Sequence, residues 1–222
     1  MGKLIVIEGL DGSGKTTQVE LLPEKLKSEG YESKMISFPD YEDPSSTLVR
    51  MYLGGEFGDK PDSVNAYAAS LFYAVDRYAS YKRHWSEYYE NGGIVVSGRY
   101  VESNAYHQMA KLPENEWDNY LEWLYETEYG KTAIPKPDLV VFLDMPTEVS
   151  SALMTSRYKG DDSKRDIHEK DRVYLESCRK AAKYAANKCG WRIISCAKDE
   201  KPRTIEDISA EIYSTVKETI EN

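Results

Sequence analysis

The sequence predicts an α/β fold, with a five-stranded parallel sheet that carries helices on both faces. The first observation is that short runs rich in Val, Ile and Leu alternate with longer segments of helical periodicity. The second is that these runs are apolar throughout, as in strands covered on both faces. The third is size, because 222 residues, 41% of them hydrophobic, suffice for one core. In such a fold, ligands bind at the carboxyl ends of the strands.

The order of the elements follows from these runs. The predicted strands lie at residues 4–7, 33–38, 94–96, 139–143 and 191–194. The intervening segments are long enough for helices, which we place at 16–29, in two pieces within 46–91, and at 101–129, 147–156, 167–187 and 205–220. Since no repeat or linker interrupts this order, we predict a single domain over 1–222. Residues 157–167 carry almost no apolar side chains, which predicts a lid segment.

Composition excludes several classes of function. With 29 Lys and Arg against 38 Asp and Glu, the net charge is -9, which argues against a protein that holds nucleic acid by its phosphates. No run of apolar residues is long enough for a membrane span. The three cysteines, Cys178, Cys189 and Cys196, form no CxxC pair and cannot all pair with each other, which favours a reducing, cytoplasmic setting.

A phosphate-binding motif follows the first predicted strand. Residues 9–16 read GLDGSGKT and fit G-x-x-x-x-G-K-[ST], directly before a predicted helix. Glycines let backbone N–H groups curl around a phosphate, and the helix N-terminus adds positive potential. Lys15 would neutralise the β and γ oxygens of a nucleoside triphosphate, and the Thr16 hydroxyl would bind Mg²⁺. The motif predicts a three-layer P-loop NTPase fold whose ATP-binding residues are Gly12, Ser13, Gly14, Lys15, Thr16 and Thr17.

The motif alone does not choose among kinases, GTPases and ATPases. No N-K-x-D guanine-reading signature occurs in the chain, which disfavours a Ras-like GTPase. Five segments occur in the order known from one kinase family: IEGLDGSGKTTQ at 7–18, FPDY at 38–41, LFYAVDR at 71–77, VVSGRYVESNA at 95–105 and FLDMP at 142–146. Together they resemble the thymidylate kinase family over nearly the whole chain. The resemblance implies that ATP and Mg²⁺ are used to convert dTMP to dTDP, and that the protein is a homodimer.

Four residues are candidates for binding the nucleoside of the acceptor. Tyr73 and Arg77 lie four apart on a predicted helix and share a face, as needed to stack on a pyrimidine and donate to its carbonyl oxygen. The alternative is a core tyrosine and a surface arginine. Asn104 offers an amide that suits the imide edge of thymine, at a position matched by the resemblance. Phe38 packs under the base or sugar, or equally fills the core.

The phosphate and sugar of the acceptor need their own partners. Arg99 ends the third predicted strand, where its fork of donors matches phosphate oxygens. Arg50 is a second candidate, with a solvated helix arginine as the alternative. By resemblance, Asp11 reaches the acceptor's 3'-hydroxyl and the metal site, so the predicted metal ligands are Thr16 and Asp11. His107 stands where many relatives have an aromatic residue beside the sugar's 2' position.

Positive charge in the predicted lid suggests how the transferring phosphoryl group is neutralised. The lid contains Arg157, Lys159, Lys164 and Arg165, and a closing lid would bring such charges over the reaction. The alternative is a solvated run of charges. The predicted catalytic residues are Lys15, Arg99, Asp11, Arg157 and Arg165.

One position departs from the family pattern. The family's third strand normally ends in Asp-Arg, whereas this chain has Gly98 before Arg99. Asp11, Glu8 or Asp144 could replace the missing carboxylate. The leading hypothesis is therefore a dTMP kinase, and two alternatives stay open: a P-loop kinase for another deoxynucleotide or deoxynucleoside, and a weakly active nucleotide-binding homologue.

Overall fold

A computed structural model describes residues 1–157, 168 and 171–221, without the side chains of 156 and 157. Within these residues one sheet has five strands, all parallel, in the order β2-β3-β1-β4-β5. The strands are β1 (Lys3–Gly9), β2 (Ser33–Ser37), β3 (Ile94–Gly98), β4 (Leu139–Asp144) and β5 (Arg192–Ser195). The predicted α/β fold and its five strands are confirmed.

Helices connect the strands and cover both faces of the sheet. They are α1 (Lys15–Ser28), α2 (Thr47–Leu53), α3 (Ala66–Ser80), α4 (Ser86–Glu90), α5 (Val101–His107), α6 (Trp117–Tyr125), α7 (Thr147–Arg157), α8 (Arg172–Cys189) and α9 (Ile205–Glu221). A short antiparallel pair, β6 (Ala197–Lys198) and β7 (Lys201–Pro202), precedes α9. None of the helices among the described residues has the length and apolar character to cross a bilayer.

Alternation along β1 builds a separate core on each side of the sheet. Leu4 and Val6 pack in the cluster formed with α5, α6 and α8, whereas Ile5 and Ile7 pack in the cluster formed with α1 and α9. Successive side chains of a strand point to opposite faces, so one apolar run serves both clusters. All four side chains are fully buried. The result is a three-layer arrangement.

Two predicted helices differ from the observed ones. The segment predicted as one helix at 101–129 contains α5, two 3-10 turns, α6 and a final π-helical turn over Glu126–Lys131. Pro113 lies in the break, and the residue before a proline disfavours the helical conformation. The helix predicted from 167 begins instead at Arg172, because the Asp171 side chain accepts a hydrogen bond from the Tyr174 amide at 2.9 Å and caps it.

The register of the sheet brings three chain segments to one edge. Ile7 pairs with Gly98, and Gly98 pairs with Ser37, so β1, β3 and β2 end side by side. The glycine-rich loop after β1, Arg99 after β3 and Phe38 after β2 therefore meet at the carboxyl edge. The predicted lid at 157–167 lies outside the described residues, apart from the backbone of Arg157, which ends α7.

Candidate active site

The glycine-rich loop leaves the first turn of α1 open toward the carboxyl edge of the sheet. Gly14 precedes the helix in a left-handed conformation (φ 86°), no side chain caps the helix, and its first turn has no acidic residue. Gly12 is also left-handed (φ 76°), and a Cβ there would lie 2.7 Å from the Ser150 carbonyl oxygen. Both positions thus require glycine, and the N–H groups of the first turn are available to an anion.

Ser13 supports the interpretation of this loop as a phosphate cradle. Its side chain is buried, and within the described residues its hydroxyl has no hydrogen-bond partner. Buried hydroxyl groups are normally satisfied, and phosphate oxygens at the start of α1 are suitable acceptors. The loop therefore fits the group that the motif predicts.

A cavity of ≈ 470 Å³ begins at this loop and continues across the ends of the strands. That volume is within the range of small-molecule sites. Most of the predicted acceptor residues contribute to its wall. The predicted residues that line it are Asp11, Lys15, Thr16, Phe38, Tyr73, Arg77, Arg99, Asn104 and His107.

An ion pair between Arg99 and Asp11 lies in the wall of the cavity. Nη2 of Arg99 is 2.5 Å from Oδ1 of Asp11, and its Nη1 donates to Nε2 of His107 at 3.1 Å and to the Tyr106 hydroxyl at 3.2 Å. Burial disfavours ionised Asp11, but the positive charges of Arg99 and Lys15 outweigh burial and hold the pKa of this carboxyl well below its usual range. The pKa of Arg99 is raised by Asp11 against the effect of burial, so both groups are charged at neutral pH.

The backbone at Arg99 is strained. Its φ of 65° lies in the left-handed region, which a residue with a long side chain rarely adopts. Two hydrogen bonds hold it there: the Arg99 amide donates to the Ile7 carbonyl at 3.1 Å, and the Ser97 hydroxyl donates to the Arg99 carbonyl at 2.6 Å. Such strain persists only where neighbouring contacts fix it, commonly at functional sites.

Glu8 is a buried carboxylate that holds the start of α5. It accepts hydrogen bonds from the Tyr100 amide at 2.8 Å, the Ser103 hydroxyl at 2.7 Å and the Tyr106 hydroxyl at 2.8 Å. Both of its carboxylate oxygens therefore already accept hydrogen bonds. Asp144 already forms ion pairs with Arg179 and Lys183. Of the three carboxylates considered as substitutes for the missing acid at position 98, Asp11 is the one that lines the cavity.

The surroundings of Gly98 are closely packed. A Cβ added to Gly98 would lie 3.2 Å from the Ser37 hydroxyl oxygen and 3.3 Å from both methyl groups of Val19. These distances are tighter than ordinary van der Waals contact. An acid at this strand end would therefore require Ser37 or Val19 to shift by a few tenths of an ångström.

Arg77 reaches the cavity from a fully buried ion pair. Its side chain and that of Glu128 are each 1% exposed. Nε of Arg77 donates to one oxygen of Glu128 at 3.2 Å, Nη2 donates to the other, and Nη1 donates to the Tyr100 carbonyl at 3.2 Å. The alternative of a surface arginine is wrong. Three of its N–H groups are engaged in this way, and the guanidinium has further donors for a ligand in the cavity.

Three other predicted residues line the cavity and also contact neighbouring residues of the protein. Asn104 is buried, and its Nδ2 donates to the Ser70 carbonyl at 3.3 Å. The ring of Tyr73 meets Tyr52 edge-on, with 6.5 Å between centroids. Phe38 is buried in the core and also forms part of the cavity wall.

His107 and His168 form a stacked pair at the cavity, with ring centroids 5.5 Å apart and planes at 21°. Burial, assisted by Arg99, lowers the pKa of His107 well below its usual value, and burial lowers that of His168 to about 3. Both rings are neutral at pH 7. Because Nε2 of His107 accepts from Arg99, its proton resides on Nδ1, which has no hydrogen-bond partner among the described residues.

A family model described as "Thymidylate kinase" matches residues 7–211 of the chain. The chain belongs to the thymidylate kinase family. It is therefore a phosphotransferase, as predicted from the five segments. A thymidylate kinase of Mycobacterium tuberculosis is 33% identical over 171 residues, which are 76% of this chain and 78% of that protein. A probable thymidylate kinase of Pyrobaculum aerophilum is 29% identical and covers 97% of both chains.

The fold agrees with that of a solved member of the family. The structure of thymidylate kinase from Candida albicans superposes with a TM-score of 0.73 at 24% identity, over 98% of this chain and 92% of that chain. At this identity the likeness supports the fold. The predicted three-layer P-loop fold is confirmed by it.

Arg50 stands apart from the other predicted site residues of this thymidylate kinase family member. Its Nη1 donates to the Tyr41 carbonyl at 2.7 Å and to the Ser46 hydroxyl at 2.9 Å, and among the described residues it does not line the cavity. Its position favours a structural role in the loop before α2. Thr17 also lies outside the lining, one residue beyond Thr16. Arg165 and the side chain of Arg157 fall outside the described part of the structure.

Several lining residues were missed by sequence reasoning. Ser103 and Gln108 share one face of α5 with Asn104 and His107, so helical spacing from Asn104 could have found them. His168 had no such signal, because it falls in the segment predicted as the start of a helix. Glu128 pairs with Arg77 rather than forming part of the cavity wall, and it was missed because 51 residues separate the two in sequence.

Proposed function

We propose that this chain transfers the γ-phosphoryl group of ATP to dTMP and forms dTDP and ADP. The observation that carries the proposal is the continuity of the cavity. It extends from the glycine-rich loop, through the Arg99 and Asp11 pair, to Tyr73, Arg77 and Asn104. One end suits a nucleoside triphosphate, the other a pyrimidine base, and the reacting phosphates would meet between them.

Catalysis on this site needs positioning and charge neutralisation. The attacking oxygen belongs to an acceptor phosphate that is already ionised at neutral pH, so no general base is required. Lys15 would bind the β and γ oxygens of ATP, and Arg99 would bind the acceptor phosphate with its planar fork of donors. Arg99 is already ordered by Asp11, His107 and Tyr106, which reduces the entropy lost when the phosphate binds.

Mg²⁺ fits the donor set at the start of α1. The Thr16 hydroxyl and the ionised Asp11 carboxylate are oxygen ligands of the kind that this cation prefers, and both residues line the cavity. When bound, Mg²⁺ neutralises charge on the phosphates. Asp11 has a second oxygen besides the one paired with Arg99, which could accept a hydrogen bond from the sugar's 3'-hydroxyl.

At the base end, the chemistry of the wall favours a pyrimidine with carbonyl groups. Arg77 can only donate, which suits the carbonyl oxygen of thymine or uracil. Asn104 has one amide hydrogen bond to the Ser70 carbonyl and can offer its oxygen to the ring N3–H. The comparisons do not favour the alternatives of a kinase for another acceptor or a weakly active nucleotide-binding homologue.

An ADP-release assay tests the proposal with ATP, Mg²⁺ and, separately, dTMP, dUMP, dCMP and thymidine as acceptors. The Lys15→Ala variant serves as the blank. Fast turnover with dTMP alone is the expected result. Turnover with a different acceptor alone would contradict the proposed specificity, and silence with all four would contradict phosphoryl transfer.

We further propose a homodimer that forms through α3. Leu71, Val75 and Tyr78 lie at helical spacing on one exposed face of α3, with exposed fractions of 46%, 54% and 42%. The same helix presents Tyr73 and Arg77 to the cavity, so a second copy packed on α3 would support the base-binding end. Light scattering of the wild type should give twice the 25.4 kDa chain mass, and Val75→Glu should give a monomer. A monomeric wild type would contradict the proposal.

The remaining expectations concern partners and location. The net charge of -9 supports small nucleotides rather than nucleic acid as ligands. We propose that the protein acts in the cytoplasm, without a membrane partner.

A further inference from the structure

The Tyr52 hydroxyl is a buried point of contact between segments that are far apart in the chain. Tyr52 lies on α2 and is 1% exposed. Its hydroxyl accepts a hydrogen bond from Nζ of Lys111 at 2.8 Å, and it lies 2.7 Å from Nε2 of His168 and 3.2 Å from the Pro61 carbonyl oxygen. A hydroxyl has one hydrogen, so it donates to His168 or to Pro61 but not to both. The network therefore has two arrangements.

The two arrangements differ in the tautomer of His168, which is neutral at pH 7. When the Tyr52 hydroxyl donates to Nε2, the ring proton of His168 lies on Nδ1. When the hydroxyl donates to the backbone carbonyl, Nε2 carries the proton and donates to the hydroxyl oxygen. A positive charge on Lys111 opposes a second N–H dipole directed at that same oxygen, so charged Lys111 favours the Nδ1–H tautomer.

The charge on Lys111 changes close to neutral pH. Within the described residues Lys111 forms no ion pair, and besides the Tyr52 hydroxyl it donates to the Val64 carbonyl at 3.0 Å. Burial lowers the pKa of Lys111 from 10.5 to about 7. Two acidic groups face it: Asp62, in the turn before α3, opposes the lowering, and burial keeps the Cys178 thiol on α8 neutral.

His168 connects this network to the residue that we assign to the acceptor phosphate. Its ring lines the cavity and stacks on His107, whose Nε2 accepts from Arg99. Among the described residues neither Lys111 nor Tyr52 lines the cavity. Their influence on the site therefore passes through the two histidine rings.

We propose that Lys111 and Tyr52 are positioning residues for phosphoryl transfer, because they fix the ring of His168 against His107. When Lys111 loses its charge, the Tyr52 hydroxyl turns from Nε2 of His168 to the backbone carbonyl. In this change Lys111 releases one proton to solvent, and His168 loses a proton from Nδ1 and takes one up at Nε2, so its own charge stays the same. The assignment rests on the proposed function, since the histidine stack supports the site of the acceptor phosphate.

NMR of ¹⁵N-labelled protein tests the network without substrate, because the tautomers of a neutral imidazole differ in which ring nitrogen carries hydrogen. The chain has three histidines, and the variants His84→Gln and His107→Gln assign their signals. We expect the Nδ1–H tautomer of His168 at pH 6 and the Nε2–H tautomer at pH 8.5. Tyr52→Phe should abolish this change, and Lys111→Met should show the Nε2–H tautomer at both pH values. One unchanged tautomer in the wild type would overturn the inference.

Steady-state kinetics test whether the network positions the site. Lys111→Met keeps a long side chain but removes its donors, and Lys180→Met, which removes an exposed lysine paired with Glu114, is the matched control. Because the acceptor phosphate itself titrates near pH 6, each variant is compared with the wild type at the same pH. We expect Lys111→Met to raise the KM for dTMP about fivefold at pH 6 and less than twofold at pH 8.5. The KM for ATP should stay within twofold, and the control should behave as wild type.

The outcomes separate the inference from the proposed function. A ratio between the dTMP KM of Lys111→Met and that of the wild type that does not change with pH would overturn the inference, because a purely structural effect does not depend on the charge of Lys111. The proposed function would then still stand. A wild type that transfers no phosphoryl group to dTMP would refute the proposed function and the positioning role together, whereas the tautomers of His168 decide the hydrogen-bond network independently of turnover.

Discussion

Asp11 and Arg99 form an ion pair at the carboxyl edge of the sheet although 88 residues separate them in sequence. The pair joins the glycine-rich loop to the end of β3. Each residue keeps its partner charged, and in the proposed function the acceptor phosphate would meet the phosphates of ATP beside this pair.

Replacing Asp11 with asparagine should impair catalysis more than stability. Asp11→Asn preserves size but removes the charge that orients Arg99 and supports Mg²⁺, so we expect kcat to fall by about a hundredfold or more. The Mg²⁺ concentration needed for half-maximal rate should rise. Kinetics over a Mg²⁺ titration measure both effects. Asp118→Asn, which removes an exposed carboxylate paired with Lys188, is the matched control and should behave as wild type.

Removing the buried partner of Arg77 should destabilise the protein. Glu128→Leu leaves a guanidinium uncompensated in the core, at an expected cost of about 3–5 kcal/mol in the free energy of unfolding. The double variant Arg77→Met/Glu128→Leu removes both charges and should recover most of that stability, but it should not recover dTMP binding. Urea unfolding and calorimetry provide the two measurements. A double variant with wild-type dTMP affinity would contradict the assignment of Arg77 to the base.

A buried carboxyl on α5 should make stability depend on pH. Glu102 accepts from the Tyr129 hydroxyl at 2.6 Å, and its other oxygen has no partner within the described residues. Burial raises the pKa of Glu102 from 4.5 to about 7. Because the folded state holds this proton more tightly than the unfolded state, the contribution of Glu102 is fully present below pH 4.5 and is lost as the pH rises to about 7.

Glu102→Gln should accordingly stabilise the protein at pH 8 and have little effect at pH 4.5. The upper limit of the gain is about 3 kcal/mol, because each pKa unit corresponds to about 1.4 kcal/mol and the pKa rises from 4.5 to about 7. Thermal unfolding at the two pH values measures it. Glu122→Gln, at an exposed position of α6, is the control. Equal effects of Glu102→Gln at both pH values would argue against a raised pKa.

An acid restored at position 98 should reduce stability without accelerating the reaction. Gly98→Asp places a Cβ against Val19 and Ser37, at an expected cost of about 1–3 kcal/mol. The Val19→Ala/Gly98→Asp double variant should recover part of this loss because the methyl groups near the new Cβ are gone. Denaturant unfolding and the ADP-release assay test both statements. A marked increase in rate for Gly98→Asp would support the alternative of a weakly active homologue.

The sequence was most informative where one pattern determines one structure. Apolar runs covered on both faces identified the five strands, and the spacing of glycine, lysine and threonine after the first run identified the phosphate loop. Helix boundaries could be predicted less accurately from the sequence. The start of α8 depends on a single capping side chain, Asp171, within a polar stretch that gives no periodic signal.

The features that could not be predicted from the sequence depend on contacts between segments that are far apart in the chain. Arg77 was predicted to donate to the base or to lie on the surface, and its burial depends on Glu128, which belongs to another helical segment. Gln108 lies four residues after Asn104, so spacing indicates its helix face, but the sequence does not show that its amide is buried without a hydrogen-bond partner among the described residues.

The position of Glu128 depends on the number of residues in the π-helical turn over Glu126–Lys131. A π-helical turn accommodates one residue more than an α-helical turn of the same position would, and Glu128 lies within it. Deleting one residue there would restore regular helix and rotate the preceding side chains by about 100° relative to those that follow. Arg77 would then lose its carboxylate without any substitution in the cavity. A one-residue insertion or deletion in this turn would therefore break the buried ion pair that holds Arg77, even though no residue that lines the cavity is substituted.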